Sequence, residues 1–232
     1  MLLSTLQQYP FFLSFIIGII PALIWLWFWL KEDAHPEPAK ILTLSFIGGM
    51  LAVIVALPLQ RIVYDTVADQ NTSFVLWAII EELAKFVIVY YIALSRKVTD
   101  EPVDNIIYLI VSALGFVALE NALFLVDMVH TGDFAGIIMT SNLRFMGASL
   151  LHTLSSATIG ICMALSFYRS IWFKQMYLLI GIVFAILLHT SFNLFIIKQA
   201  EGSVFLVFGA VWFAIIIVML FFERVKRIHK PI

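Results

Sequence analysis

Charge is what this sequence has least of. Only 12% of its 232 residues are Asp, Glu, Lys or Arg, while 62% are hydrophobic. A water-soluble domain averages ~25% charged and ~45–50% apolar. A soluble fold of this length has no interior large enough for the surplus, so the bilayer is the solvent for most of it. Basic patches are missing too, which excludes a nucleic-acid surface. The single cysteine, Cys162, excludes an intrachain disulfide; in its apolar run it reads as an inert packed thiol. Met1 to Pro10 carries no positive charge and no small-residue cleavage site follows the first apolar run. That argues against a cleaved signal peptide and for a first helix retained in the mature protein. Internal repeats and low-complexity tracts are lacking, so residues 1–232 read as one membrane domain.

What is present is a series of apolar runs. Measured against the ~20 residues needed to cross ~30 Å of hydrocarbon, seven qualify, near 10–30, 41–59, 74–95, 106–129, 144–168, 175–197 and 203–222. The fold class is therefore all-α, a polytopic transmembrane bundle of about seven helices. Charged, Pro-punctuated breaks such as Lys31 to Pro38 and Ser95 to Pro102 separate the runs. Trp25, Trp27 and Trp29 suit an interfacial aromatic belt. Ten basic residues (Lys31, Lys40, Arg96, Lys97, Arg169, Lys174, Arg224, Lys226, Arg227 and Lys230) fall on one side, and only Arg61, Arg144 and Lys198 on the other. The positive-inside rule then puts the N-terminus outside and the C-terminus in the cytoplasm.

Several residues do not belong in hydrocarbon. The third run contains Glu81, Glu82 and Lys85, the fourth Glu120 and Asn121, the fifth His152, and the sixth His189 and Asn193. A charged residue at the centre of a membrane helix costs at least ~2.5 kcal/mol, and such residues are usually functional. Lys85 follows Glu81 at i+4 and can pair with it. Glu82 points about 100° away, so one glutamate can be held by the lysine while the other faces a cavity. With the orientation above, at ~1.5 Å per residue, the two glutamates, Glu120 and both histidines lie roughly 10–14 Å below the outer surface. Residues serving only to glue helices together would be scattered in depth; a shared site would not.

A carboxylate and a histidine around one water can act as general base and acid, and a histidine with an amide can stabilise an oxyanion. Ser155 and Ser156 lack a nucleophile motif. The histidines could instead bind zinc with an open position, the donors coming from Glu82, Glu120, His152 and His189, although no HExxH spacing is present. The spacing does not choose between a metal-bound and a carboxylate-activated water. A proton-coupled transporter would need polar residues through the inner half of the bundle, and the inner halves read as apolar. A non-catalytic scaffold is the remaining alternative. The stretch from His130 to Arg144 is positioned to act as an outer lid.

Four motifs in order carry a resemblance. They are Glu81-Glu82-Leu83-Ala84-Lys85 (EExxK), Phe116 to Glu120 and Asn121 (FxxxEN), His152-Thr153, and His189 to Asn193 (HxxxN). Together they span a motif-bearing core of about 74–197. The chain resembles the PrsW family of intramembrane proteases, a branch of the group that includes the CAAX prenyl endopeptidases and Abi proteins. The resemblance implies a multi-pass protease of the bacterial inner membrane that cuts single-span or membrane-anchored proteins. Site-1 cleavage of an anti-sigma factor on the outer side is the family's best-known role. By analogy with the CAAX enzymes, Glu81 or Glu82 would be the base, with His152 as its partner. His189 with Asn193 would form the oxyanion site, and Lys85, Glu120 and Asn121 would support them. Lys85 stands one residue short of the arginine in EExxxR, and Glu120 replaces the histidine of FxxxH, which argues against prenylated substrates.

Overall fold

The computed structural model describes residues 10–198 and 204–229, without the side chains of 196–198 and 204–208. The described residues form eight α-helices: α1 (Pro10–Lys31), α2 (Ala39–Thr66), α3 (Gln70–Val89), α4 (Pro102–Thr131), α5 (Phe134–Met146), α6 (Ala148–Leu165), α7 (Ile171–Lys198) and α8 (Val204–Val225). No strand occurs among them. The helix starts follow from local capping chemistry. Asp69 accepts from the Thr72 backbone N–H at 2.8 Å to open α3, and Asp133 accepts from that of Gly136 at 2.9 Å to open α5. Each satisfies a donor that a helix terminus leaves orphaned. Glu101 and Asp104 form a capping box ahead of α4, with Pro102 in its first turn. Gly132, at φ 73°, closes α4 in the left-handed region where a Cβ is penalised.

Helix α4 is the spine. Its residues from Pro102 to Ala118 are all buried, and α1, α2 and α6 pack around it. Two glycines allow the closest approach. A Cβ on Gly49 would stand 1.8 Å from the Ser112 carbonyl oxygen, and one on Gly115 1.9 Å from that of Phe46. Small residues let backbones touch where lipid supplies no hydrophobic drive between helices. Outer faces carry exposed Ile54, Ile62, Trp172, Phe213 and Leu220, as a lipid-facing surface must.

Each apolar run falls mainly on one helix, the third continuing from α3 into a π turn and the fifth running from the end of α5 across Gly147 into α6. Five stretches are long and apolar enough to cross a membrane: Pro10–Lys31, Ala39–Thr66, Pro102–Thr131, Phe134–Leu165 and Ile171–Phe195. Helix α3 carries Glu81, Glu82 and Lys85 between α2 and α7, and continues through a π turn, Tyr90–Leu94. The protein is a polytopic helical membrane bundle.

Three sequence expectations change. The stretch from His130 to Arg144 is largely helical: α5 occupies it and joins α6 through a break at Gly147. Trp25 and Trp29 turn into the core, where Trp29 meets Phe222 edge-on at 5.9 Å. Only Trp27, 64% exposed, remains available to an interface. The inner end is not wholly apolar either. Asp104 and Asn105 are buried there, and Tyr108 donates to Glu37. The expectations for Met1 to Tyr9 and for Lys198 and Lys230 fall outside the described residues and side chains.

Candidate active site

The interior glutamates of α3 face different partners. Lys85 pairs with Glu82 at i+3, Nζ to Oε1 2.7 Å, and not with Glu81. Both i+3 and i+4 are helical neighbours, and tertiary packing decided between them: Lys85, fully buried, also approaches His152 Nδ1 at 3.2 Å. The same Glu82 oxygen receives His189 Nδ1 at 2.7 Å. Glu81 turns the other way. Its Oε1 accepts from Gln60 Nε2 at 2.6 Å, while its buried Oε2 has no hydrogen-bond partner. That oxygen lies 3.6 Å from His189 Nε2 and 4.0 Å from His152 Nδ1. The imidazole rings meet edge-on at 5.0 Å.

The other nitrogen of His152 is equally occupied. Nε2 lies 3.3 Å from Glu120 Oε2, and Glu120 is paired with the Arg144 guanidinium. Arg144 also donates through Nε to Asn121 and lies 3.9 Å over the Phe124 ring. His189 turns Nδ1 toward Glu82 and His152 turns Nε2 toward Glu120, the arrangement that a proton on each of those nitrogens suits. His189 Nε2 then faces Glu81 Oε2, while His152 Nδ1 meets Lys85 at 3.2 Å and that oxygen at 4.0 Å.

Several of these groups line a cavity of about 620 Å³. Its chemically active rim is Glu81, His152, His189, Glu120, Arg144, Gln60 and Asn193; its walls include Val53, Leu57, Phe74, Trp77, Phe116, Phe124, Leu151, Phe192 and Phe195. Phe124 and Phe195 are more than half exposed, so the cavity opens toward lipid. Glu82 and Lys85 do not line it; they stand behind the histidines.

Three acceptors around one point suggest a cation. Glu81, His152 and His189 each offer one ligand atom within 4.8 Å of the others, and all three residues are buried. Ligand bonds of about 2.0–2.2 Å in a tetrahedron place neighbouring donor atoms ~3.3–3.5 Å apart; Glu81 Oε2 lies 3.6 Å from His189 Nε2 and 4.0 Å from His152 Nδ1, so the donors would draw in around an ion. The outward carboxylates, Glu82 behind His189 and Glu120 behind His152, are the hydrogen-bond acceptors that metal-binding histidines ordinarily need. The donor set therefore fits a divalent metal, with Glu81 as its acidic member in place of the anticipated Glu82 and Glu120. Lys85 already uses His152 Nδ1, so an ion would displace that one contact.

A family model described as PrsW family intramembrane metalloprotease matches residues 37–221. The chain belongs to this family. Among curated relatives, Protease PrsW of Geobacillus kaustophilus is 32% identical over 115 residues, covering 47% of this chain and 50% of that protein. Protease PrsW of Clostridioides difficile is 25% identical over 202 residues, 83% of this chain and 82% of the relative. That of Shouchella clausii is 24% identical over 224 residues, 92% and 95%. The chain thus spans about half the length of the Geobacillus protein and most of the other two. No solved structure matches it. Membership and the five apolar helices make the chain a multi-pass bacterial membrane protein of a protease family.

Gln60 and Arg144 were not singled out in the sequence. Gln60 sits two residues after Pro58 near the end of α2, where a polar side chain is ordinary. Arg144 read only as a rare basic residue on the outer side; its isolation there was the one signal available.

Proposed function

We propose that this PrsW-family protein is an endopeptidase that hydrolyses a peptide bond of a membrane-anchored or single-span protein inside the outer half of the bacterial inner membrane. The natural substrate class is one membrane protein cut at its first site, of which an anti-sigma factor is the leading example. The N-terminus outside and C-terminus inside put the cavity near the outer surface. One observation carries the reading: an unpartnered, buried carboxylate oxygen, Glu81 Oε2, faces a ring nitrogen of each of two histidines in a lipid-open apolar cavity.

A water donating to Glu81 Oε2 and to one histidine nitrogen is held by two acceptors at once. Glu81 takes its proton as the attack proceeds and returns it to the leaving amine. Glu82 orients His189, and Glu120 orients His152. Asn193, one turn after His189 and on the cavity wall, supplies the amide donor for the oxyanion. His189 is not assigned that role, because its N–H is turned to Glu82. The apolar walls hold an extended substrate segment away from bulk water. If an ion of the zinc type is bound by Glu81, His152 and His189, it supplies Lewis acidity to the same water and carbonyl.

A proton-coupled carrier fits less well. On α4, Ser112 is the one polar side chain between Tyr108 at the inner end and Glu120 at the site.

The test is cleavage of single-span substrates, an anti-sigma factor included, by detergent-purified protein, with and without a strong chelator. Loss of cleavage in both Glu81→Gln and His189→Ala supports the site. Loss on chelation, restored by zinc, supports the ion, whereas resistance supports the carboxylate-activated water. Full activity of both variants sinks the assignment.

A further inference from the structure

A carboxylate that must hold one oxygen toward a water or an ion needs its other oxygen fixed, because the terminal torsion of glutamate is broad and roughly two-fold. For Glu81 that fixing comes from outside its own helix and outside the four motifs. Gln60 Nε2 donates to Glu81 Oε1 at 2.6 Å. Gln60 is itself secured: its backbone carbonyl accepts from the Trp77 indole N–H at 3.2 Å. Trp77 lies one turn before Glu81 on α3, so α2 grips α3 at two successive turns of one face. Glu81 is 6% exposed, and Lys85 is turned away to Glu82. Among the described residues no other hydrogen-bond donor serves a Glu81 oxygen.

We propose that Gln60 is a positioning residue of the reaction: its amide holds Glu81 Oε1 and thereby commits Oε2 to the space between His152 and His189. This rests on the assignment of Glu81 made above. Gln60 does not touch the reacting atoms. Without it the carboxylate rotates freely between its two oxygens, and Oε1, buried, is left short of a partner. A polar residue at this place on α2 makes the α2–α3 contact part of the catalytic geometry, so anything that parts these helices at the cavity wall loosens the base.

The experiment compares native protein with Gln60→Met, nearly isosteric but without a donor, and with Gln60→Asn, whose amide is one methylene too short. Cleavage of a single-span substrate is followed for kcat and KM. In parallel, infrared spectroscopy follows the carboxyl stretching band that disappears in Glu81→Gln, an observable independent of turnover. Loss of an outer-shell partner typically lowers activity ~10–100-fold. Both variants are expected to show a fall of that size in kcat, KM within about two-fold, since substrate binding is not the step removed, and a shifted Glu81 band. Native kcat in either variant, an unmoved band, or a lower unfolding midpoint with kcat per folded molecule intact would overturn the proposal. Retained cleavage in Glu81→Gln would instead overturn the underlying assignment of the base, which separates the two failures.

Discussion

The molecule holds buried and half-buried acidic groups in two places, and the two are built differently. At the inner end, Asp33, Glu37, Glu101 and Asp104 sit on loops and a helix start, and several of their bonds go to nearby backbone. Asp104 accepts from the N–H groups of Asp100 and Glu101 at 2.7 and 2.9 Å, and Asp33 from that of His35 at 3.1 Å. In the outer half, Glu81, Glu82 and Glu120 sit inside helices whose backbone is already satisfied. Their bonds go to side chains of other helices or to Lys85. Glu81 Oε2 and Glu82 Oε2 are left without a hydrogen-bond partner, as Asp33 Oδ2 and Asp104 Oδ1 are at the inner end, but only Glu81 lines the cavity together with both histidines. A carboxylate at a helix start completes the helix; one in a helix interior has no such local duty. Position along the helix therefore separates the architectural acids from the chemical ones better than burial does.

That contrast can be broken by substitution. The largest effect is expected at Glu81→Gln: cleavage falls by ~10²–10⁴, the usual worth of a general base, while the unfolding midpoint in detergent stays near native. An unchanged rate would erase the distinction. Lys85→Met comes next. It strands Glu82 as a buried charge, and breaking a buried pair by removing one partner costs about 3–5 kcal/mol, so both the thermal midpoint and activity are expected to drop. Glu82→Gln should resemble Lys85→Met more than Glu81→Gln, because Glu82 bonds Lys85 and His189 behind the cavity. At the inner end, Asp104→Ala removes a capping acceptor worth about 1 kcal/mol; denaturation should register it while kcat does not change.

The smallest effect is a pH slope. Burial pushes the Glu37 carboxyl from its ordinary 4.5 up to about 8, the nearby Asp104 adding to the rise and the Tyr108 hydroxyl opposing it. A proton bound more tightly in the folded state stabilises fully below the unfolded value and ceases to do so as pH rises through the folded one. Stability should therefore decline between about pH 4.5 and 8, and Glu37→Gln should flatten that decline in a pH series of unfolding midpoints. A slope unaltered by Glu37→Gln would remove Glu37 as its source.

The same contrast explains what could be read in advance. Glu81, Glu82, Glu120, His152 and His189 stood out because hydrocarbon makes such residues costly, so their presence was itself a signal. Gln60 and Arg144 gave little signal, because they lie near helix ends where polar residues are common; Arg144 also lies on α5, a helix in the stretch anticipated as a lid. Trp25 and Trp29 were misassigned because a tryptophan near a span end fits an interface and a core equally well until its neighbours are known.

By itself the sequence determined the solvent, the helical class, the order of the apolar segments and the residues too polar to be there by chance. These follow from transfer free energies and from a period of 3.6, both properties of the chain alone. Only the tertiary structure decided which glutamate Lys85 neutralises, which histidine nitrogen faces inward, and that Gln60 of α2 and Arg144 of α5 complete the cluster. Those choices depend on where other helices place donors and acceptors within about 3 Å, and hydrogen bonds, unlike burial, leave no periodic trace along a single helix.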